Sequence, residues 1–361
     1  MLNFLIKRFL YGLLILWGVI TVIFFLFNVL PGDPAQMMLG QRTDISTVES
    51  IRKELGLDRS VGMQYVKYIN DLSPVSVHNS KNETSYFYLD PGKYTSYQSI
   101  FNVKEKYTLV LKKPYLRRSY QSKKQVSAII GETLPNTFIL AMASIVFATL
   151  LGLFTGIIAA LKKDTIFDRL SLFFSAFGMS LPSFFAAILI GWIFAFLLAD
   201  ITGLNLTGNI YEIDEMGNGM HLQLKNLILP ALTLGIRPLS IVIQLSRNSL
   251  LDVLSQDYIR TAKAKGLNYS RIIWKHALKN SLNPVITAIS GWFASLMAGV
   301  VFVEYIFGWK GLGFIIVDAL NQYDFPVVLG CILTISLIFI IINTLVDIVY
   351  GILDPRVRIS N

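Results

Sequence analysis

Long runs of apolar residues recur along this chain, separated by polar stretches. A helix needs roughly 20 apolar residues to cross a hydrocarbon core, and six runs reach that length. They cover Phe9–Leu30, Phe138–Leu161, Leu170–Ala199, Leu227–Leu245, Pro284–Val303 and Phe325–Val346. The third run is too long for one straight crossing and contains Pro182, so we expect it to tilt or kink. The pattern predicts an all-α membrane protein with six transmembrane helices.

Composition agrees with this prediction. Of 361 residues, 53% are hydrophobic and 15% are charged, whereas soluble domains carry about 25% charged residues. Lys7 and Arg8 precede the first run as they would in a signal peptide, but this run is longer than a signal core and no small-x-small cleavage pattern follows it. We therefore expect a retained helix. The single cysteine, Cys331, lies in the sixth run and excludes an intrachain disulfide.

The basic residues of the short loops predict the orientation, because such residues stay on the cytoplasmic side. They follow the second run (Lys162, Lys163, Arg169), follow the fourth (Arg247, Arg260, Lys263, Lys265, Arg271, Lys275, Lys279), and recur in the tail (Arg356, Arg358). The loops after the third and fifth runs are mainly acidic. Both termini are therefore predicted to be cytoplasmic. The first loop, Pro31–Thr137, is basic and external, which is acceptable because long loops translocate regardless of charge.

This first loop has two parts of different character. Thr47–Gly56 has the pattern of a short amphipathic helix. Pro74–Pro114 is rich in Tyr, Ser, Asn and Lys, and Tyr107–Leu111 has strand propensity. Two interpretations stay open for this second part, namely a small β-rich elaboration that touches an external partner and a partly ordered insertion. The basic excess of the chain is split between this loop and the inner face without a recognition fold, so nucleic acid is not a predicted partner.

Small residues recur at helical spacing in two of the runs. Gly152 and Gly156 lie in the second run, and Gly291, Ser295 and Gly299 lie in the fifth. Such stripes allow helix backbones to approach closely in lipid. They are consistent either with pairing between subunits or with helix packing inside one chain.

The segment Asp257–Pro284 is a basic, amphipathic stretch between two apolar runs. Asp257–Lys265 is predicted to be a short helix with Gly266 at its C-terminal cap, and Asn268 or Ser270 can cap a second helix that runs to Lys279. We call this helix–glycine–helix unit the elbow. Its apolar contacts would come from Ile259, Ala262, Ile272, Ile273 and Trp274. The pattern fits either a docking site for a partner or an interfacial helix that anchors in lipid headgroups.

The elbow resembles the cytoplasmic signature of binding-protein-dependent ABC importer permeases, in the peptide branch. The resemblance lies in RTAKAKGL followed by HALKNSLNP. Relative to the general E-A-A-x3-G form, Arg260 and Thr261 replace the first two positions, while Ala262 and Gly266 match the third and last. Further family motifs follow in order at LPGDP (30–34), SLPSFF (180–185), LPALTLG (229–235), VEYIFGWKGLG (303–313), YDFPVVLG (323–330) and LDPRVR (353–358). Two departures are Lys310, where the family usually has proline, and residues 73–113, which look like an insertion.

The resemblance implies a domain plan. Residues 1–30 form the first transmembrane helix, and residues 31–134 form an external region with an α/β insertion at about 73–113. Residues 135–361 form a permease core with five transmembrane helices and a cytoplasmic coupling segment at 252–283. In this family the elbow docks on a cytoplasmic ATPase and transmits its closure to the membrane helices. The residues implied in coupling are Asp257, Tyr258, Arg260, Thr261, Ala262, Ala264, Gly266, Leu267, His276 and Asn280.

The chain has no G-x4-G-K-[ST] loop to cradle nucleotide phosphates, so ATP and Mg²⁺ are expected on separate subunits and no cofactor on this chain. The three histidines are far apart in sequence, and we find no catalytic or metal-binding set. The implied protein is a non-enzymatic permease subunit of an importer for di- or oligopeptides in the bacterial inner membrane. Its implied partners are a homologous second permease, two ATP-binding cassette subunits and an external solute-binding protein. Alternatives are a nickel or other small-solute importer, an ion-coupled secondary carrier and a membrane enzyme.

Arg237 is the outstanding polar residue of the predicted spans. It lies about 15 Å into the fourth run at 1.5 Å per residue. Gly235 and Pro238 flank it, so a broken helix is expected there. Ionisable residues at such depth usually face a cavity or a partner. One hypothesis is that Arg237, together with Pro182, lines the translocation path and meets a peptide carboxylate; the other is a local pairing that fixes the broken helix.

Overall fold

A computed structural model describes residues 2–29, 48–49, 52–53, 56–94, 96–103, 106–213 and 219–353, and these ranges are mainly helical. The chain divides into two compact units. The first unit comprises Met1–Arg8, Thr133–Phe314 and Ile335–Asn361, and the second comprises Phe9–Glu132 and Ile315–Thr334. The motif at 30–34, most of Thr47–Gly56, and all of the motif at 353–358 except Leu353 lie outside the described residues.

The described elements follow one another in a simple order. In the N-terminal part they are α1 (Leu2–Val29), α2 (Val61–Leu72), β1 (Val75–Asn79), β2 (Tyr97–Val103), β3 (Tyr107–Lys112) and α3 (Val126–Leu161). The middle part contains α4 (Ile166–Ser180), α5 (Ser183–Trp192) with a π turn (Ile193–Leu197), α6 (Ala199–Thr202), β4 (Tyr211–Ile213), β5 (Met220–Leu222) and α7 (Lys225–Leu254). The C-terminal part contains α8 (Asp257–Ala264), α9 (Tyr269–Ser281), α10 (Asn283–Gly299), α11 (Val301–Ile306), α12 (Leu312–Asn321) and α13 (Phe325–Leu353).

Four of these helices are long and apolar enough to cross a membrane without a break, namely α1, α3, α7 and α13. Two further pairs are bent, α4 with α5 by 114° and α9 with α10 by 46°. Counting each bent pair as one span gives six candidate spans in the described residues, in the order that the apolar runs predict. The second helix begins at Val126, before the predicted Phe138, because helical residues of moderate polarity extend the apolar run.

The break between α4 and α5 occurs at the proline that the sequence indicates, but it is much sharper than a tilt. Leu181 and Pro182 both have extended backbones, with ψ values of 126° and 138°. Proline disfavours the helical region for the residue before it, so Leu181 leaves α4 with an extended backbone and Pro182 becomes the N-cap residue of α5. The third span is therefore a pair of helices joined by a corner.

The predicted break around Arg237 is wrong. Helix α7 runs continuously through both Pro230 and Pro238. A proline removes one backbone donor and crowds the preceding turn, but packing can hold the helix together across this gap. Pro238 is buried, and Gly235 lets α3 approach so closely that a Cβ there would lie 3.1 Å from the Ser144 carbonyl oxygen.

The small residues of the second span allow contact inside the chain. A Cβ at Gly152 would lie 2.7 Å from Val242 Cγ1, and a Cβ at Gly156 would lie 2.7 Å from the Ile243 carbonyl oxygen, both on α7. Glycine is therefore needed for α3 and α7 to pack in this way. At Gly291 and Gly299 of α10, by contrast, a Cβ would have nothing within 4 Å. The two stripes thus have different surroundings.

In the second unit, residues 75–112 contain a three-stranded antiparallel sheet of order β1-β3-β2. The strand predicted at Tyr107–Leu111 is confirmed as β3, the central strand. Leu89, Tyr94 and Val110 form the buried cluster against this sheet. The buried carboxylate of Asp71, at the end of α2, accepts a hydrogen bond of 2.7 Å from the Tyr94 hydroxyl. The segment is therefore β-rich, and its contact with an external partner stays a prediction.

Candidate functional site: the elbow, the cleft of Arg237 and the Glu304 hub

The elbow has the helix–glycine–helix form that the sequence predicts. Gly266 follows α8 with a φ of +73°, a left-handed conformation that suits glycine. Its N–H donates to the Lys263 carbonyl at 2.9 Å, and the next N–H, of Leu267, donates to the Ala262 carbonyl at 3.3 Å. The second helix is capped by Asn268, whose side chain accepts from the Ser270 N–H at 3.2 Å.

Helix α9 contains a feature that the sequence did not indicate. Residues Ile272–Ala277 form a π turn inside it. Single π turns insert one residue into an α-helix and occur frequently at functional sites. Both Ile272 and Ile273, which are adjacent in sequence, are buried here.

The apolar face of the elbow packs against other helices of its own chain. Ile259 and Ala262 of α8 and Ile272 of α9 form a buried cluster with Ala160, at the end of α3, and Leu250, near the end of α7. Among the predicted apolar contact residues, Trp274 alone is exposed, at 70%. The elbow is therefore packed against the ends of two predicted spans, and its apolar face is not a free docking surface.

Most of the predicted coupling residues lie on the outer face of the elbow. The exposed members are Asp257, Tyr258, Arg260, Thr261, Ala264, Gly266 and Asn280. Asn280 Nδ2 donates to the Tyr258 hydroxyl at 3.1 Å and so joins α9 to α8. His276 and Leu267 are half-buried and Ala262 is buried, so these three can support the surface but contribute little to it. The structure thus offers a polar, cationic surface on a fixed two-helix base.

A buried ion pair lies close to the elbow along the chain and was missed by sequence reasoning. Asp168, in the first turn of α4, is 2% exposed and binds Arg247 of α7 through both carboxylate oxygens, at 2.6 and 2.7 Å. The N–H of Asp164 donates a third hydrogen bond to Asp168 at 3.0 Å. The loop-charge count had treated Arg247 only as a cytoplasmic cation. No local pattern signals a partner 79 positions away in sequence.

Arg237 lies on a small cleft of about 80 Å³ within the first unit. The cleft is lined by Gly178, Leu181, Ser183, Ala186, Thr233, Leu234, Ile236, Arg237, Trp292, Ser295, Leu296 and Gly299. Arg237 Nε donates to the Leu181 carbonyl oxygen at 3.2 Å. This carbonyl precedes Pro182, so the structure brings together Arg237, the corner at Pro182 and two of the small residues of α10, Ser295 and Gly299. Gly291 is not among the lining residues.

The motif VEYIFGWKGLG forms a polar hub around one buried carboxylate. Glu304 is fully buried and accepts hydrogen bonds from Thr137 Oγ1 at 2.7 Å and from the N–H groups of Gly313 at 2.7 Å and Phe314 at 3.2 Å. The latter two belong to the first turn of α12, whose N–H groups have no partner within the helix. A Cβ at Gly313 would lie 2.4 Å from the Val301 Cα, which explains the glycine.

The structure also explains why Lys310 departs from the resemblance. The Lys310 N–H donates to Asn209 Oδ1 at 2.7 Å, and its carbonyl accepts from Asn136 Nδ2 at 2.9 Å. Proline has no N–H and could not make the first of these bonds. Among the described residues, no group of three or more His, Cys, Asp or Glu side chains could hold a metal ion.

Comparison with known families agrees with these motifs. The family described as "Binding-protein-dependent transport system inner membrane component" matches residues 152–359, and the corresponding N-terminal family matches residues 1–85. The chain therefore belongs to this family of multi-pass membrane permeases of ABC importers.

Its curated relatives are of similar length. The dipeptide transport system permease protein DppB of Alkalihalophilus pseudofirmus is 31% identical, with 99% of this chain and 100% of the relative covered. The di/tripeptide transport system permease protein DppB of Pseudomonas aeruginosa is 32% identical over 99% of both chains, as is the glutathione transport system permease protein GsiC of Escherichia coli. Among solved structures, an amino acid ABC transporter with histidines matches 62% of this chain and 94% of its own with a TM-score of 0.48 and 12% identity.

Proposed function

We propose that this permease imports di- or oligopeptides across the bacterial cytoplasmic membrane, with both termini inside. It would work with a homologous second permease, two ATP-binding cassette subunits that hold ATP and Mg²⁺, and an external solute-binding protein. The peptide and glutathione transport functions in the names of its relatives support peptide cargo. The chain itself would carry out no chemical step.

The observation that carries the proposal is the construction of the elbow. Its polar face is open, while its apolar face is fixed to Ala160 of α3 and Leu250 of α7. An ATPase that grips the open face and moves would therefore displace the ends of two membrane helices together. Because α7 also carries Arg237, the displacement reaches the cleft through a continuous helix rather than through a broken one. This path supports alternating access driven by ATPase closure.

The cleft supplies the proposed contact with cargo. Arg237 is exposed there, and no carboxylate is within salt-bridge distance of it in the part of the chain that the structure describes. A guanidinium at membrane depth favours an anionic partner, and every peptide carries a terminal carboxylate. A volume of about 80 Å³ is far below the roughly 300 Å³ of an ordinary ligand pocket. Peptide entry therefore requires α4 and α5 to move apart from α10, which is the motion that the elbow would drive.

Pulldown of the tagged chain from its native membrane tests the coupling surface. The wild type should recover a second permease and ATPases, with ATP hydrolysis, and Gly266→Asp should lose the ATPases. Gly203→Asp is the matched control, because Gly203 also has a positive φ, +60°, and open space around its Cβ. If Gly266→Asp retains the ATPases and hydrolysis at the wild-type level, the elbow is not the coupling surface.

Uptake by reconstituted complexes tests the cargo and the path. Labelled di- and tripeptides should accumulate with ATP, Arg237→Gln should reduce uptake strongly, and the binding of the ATPases should be unchanged. Arg237→Lys keeps the charge and should retain part of the uptake. Equal transport of amidated and free-carboxyl peptides would show that Arg237 does not bind a peptide carboxylate. Uptake of nickel in place of peptides would show that peptides are not the cargo.

A further inference from the structure

Helix α2 buries polar side chains and exposes several of its apolar residues. Its buried residues are Gln64, Tyr68 and Asp71, whereas Val61, Met63 and Val66 are 45%, 45% and 53% exposed. A helix on a water-exposed surface shows the opposite arrangement. The exposed apolar residues of α2 therefore suit an apolar environment.

Both charged side chains of α2 are largely buried. Lys67 and Asp71 lie one helical turn apart, with 3.5 Å between Nζ and Oδ1, and their side chains are only 13% and 5% exposed. Lys67 Nζ also lies over the rings of Phe87 and Tyr94. Desolvation by burial lowers the pKa of Lys67, although the Asp71 carboxylate opposes the shift. Both charged side chains of α2 are thus largely buried inside the second unit rather than exposed beside Val61, Met63 and Val66.

The depth of α2 follows from its contacts with the part of α1 after Arg8, which belongs to the same unit. The Tyr65 hydroxyl hydrogen-bonds with Thr21 Oγ1 at 2.6 Å, and the Tyr68 ring stacks on Phe24 with 5.7 Å between centroids. Thr21 precedes the end of α1 at Val29 by about 12 Å at 1.5 Å per residue. It lies inside the candidate span Ile6–Leu26. Helix α2 therefore lies alongside the last third of a membrane-crossing segment.

The part of α1 next to α2 carries exposed apolar side chains. Val22, Phe25 and Leu26 are 64%, 44% and 50% exposed. The exposed face of α2 continues this surface, which is lipid-facing if α1 crosses the membrane. The junction also contains Tyr65 and Tyr68, and tyrosine is enriched at the boundary between hydrocarbon and headgroups.

We infer that α2 is an interfacial membrane helix whose exposed apolar residues, Val61, Met63 and Val66, are covered by lipid acyl chains, in the outer leaflet under the proposed topology. Amphipathic helices of this kind bury their apolar face a few ångströms into the boundary between headgroups and acyl chains. Here the helix is also tied to the first span, so it fixes the base of the β1-β3-β2 sheet at the membrane surface.

Nitroxide labels on the complete transporter in lipid nanodiscs test this inference. Cysteines replace Val61, Met63 and Val66 one at a time in a Cys331→Ala background, with Val22→Cys as the lipid reference and Glu83→Cys as the water reference. Collision rates are measured with oxygen, which concentrates in hydrocarbon, and with a water-soluble nickel chelate. An unchanged Tm of each labelled complex shows that the fold is intact.

The labels at Met63 and Val66 should give an oxygen-to-chelate ratio close to that of Val22 and severalfold above that of Glu83. A chelate-dominated ratio at all three positions would place the face in water and overturn the inference. Low collision rates with both reagents would show that protein covers the face, and this would overturn it equally. The outcome is independent of cargo and ATPase identity, so it stands apart from the tests of the proposed function.

Discussion

The buried pair Asp168–Arg247 allows the sharpest prediction about stability. Asp168→Asn keeps the shape of the side chain but removes its charge, so Arg247 loses a bidentate partner while its own side chain is only 14% exposed. Breaking a buried pair by removing one partner costs about 3–5 kcal/mol. The remaining amide oxygen can still accept one bond, and Arg247 can extend toward the nearby surface. We therefore expect a loss at the lower end, about 3 kcal/mol.

The assay is thermal unfolding of the purified transporter in nanodiscs, followed by intrinsic fluorescence. At about 2–4 °C per kcal/mol for domains of 150–250 residues, and less for longer chains, the expected fall in Tm is about 5 °C. Arg247→Gln should give a fall of similar size. The double variant Asp168→Asn with Arg247→Gln should cost about 2 kcal/mol less than the sum of the single variants, because no charge is left unpaired.

Additive single effects, or a fall in Tm below about 1 °C for Asp168→Asn, would refute the reasoning, since a buried charge cannot lose its partner at so small a cost. Asp257→Asn is the matched control. Asp257 also forms an arginine pair, with 3.3 Å to Arg260, but its side chain is 94% exposed. Exposed pairs of this kind contribute about 0–1 kcal/mol, so its Tm should hardly change.

Three further predictions concern other parts of the chain. Lys310→Pro removes the N–H group that donates a hydrogen bond to Asn209 Oδ1. It should lower the free energy of unfolding by about 1 kcal/mol, detected as a fall in Tm. An unchanged Tm would show that this bond contributes nothing to stability. Gly156→Ala should cost about 1–3 kcal/mol because its Cβ meets the backbone of α7, whereas Gly291→Ala, in open space, should leave Tm unchanged. Burial and nearby lysines lower the pKa of His78 to about 4 from 6.5. As the pH falls, His78 therefore binds a proton in the unfolded chain before it does so in the folded chain. The second unit should keep its full stability above pH 6.5 and lose about 3 kcal/mol as the pH falls to 4. Hydrogen exchange in β1 should show this loss, and His78→Asn should make the stability depend less on pH.

Local signals in the sequence determined the parts of this protein that depend on neighbouring residues. Apolar run length located the six candidate spans, since the hydrocarbon core sets the number of residues that a helix needs. Pro182 marked the corner between α4 and α5, because proline restricts the residue directly before it. Gly266 marked the turn of the elbow for the same kind of reason, as glycine favours a left-handed backbone. The motifs identified the family because they reproduce residue types and spacings along the chain.

Only the tertiary structure decided which faces meet. Periodicity shows that a helix has a special face but not what covers it. One stripe of small residues is tightly packed at Gly156, and the other is open at Gly291. Asp168, which binds Arg247, and Thr137, one of the donors to Glu304, lie 79 and 167 positions away from these residues and leave no local trace. The expected break at Arg237 failed because packing from other helices holds a proline-containing helix together, a contribution that propensity does not contain. Sequence thus determined the segments, and long-range packing determined the cleft, the buried charges and the open face of the elbow.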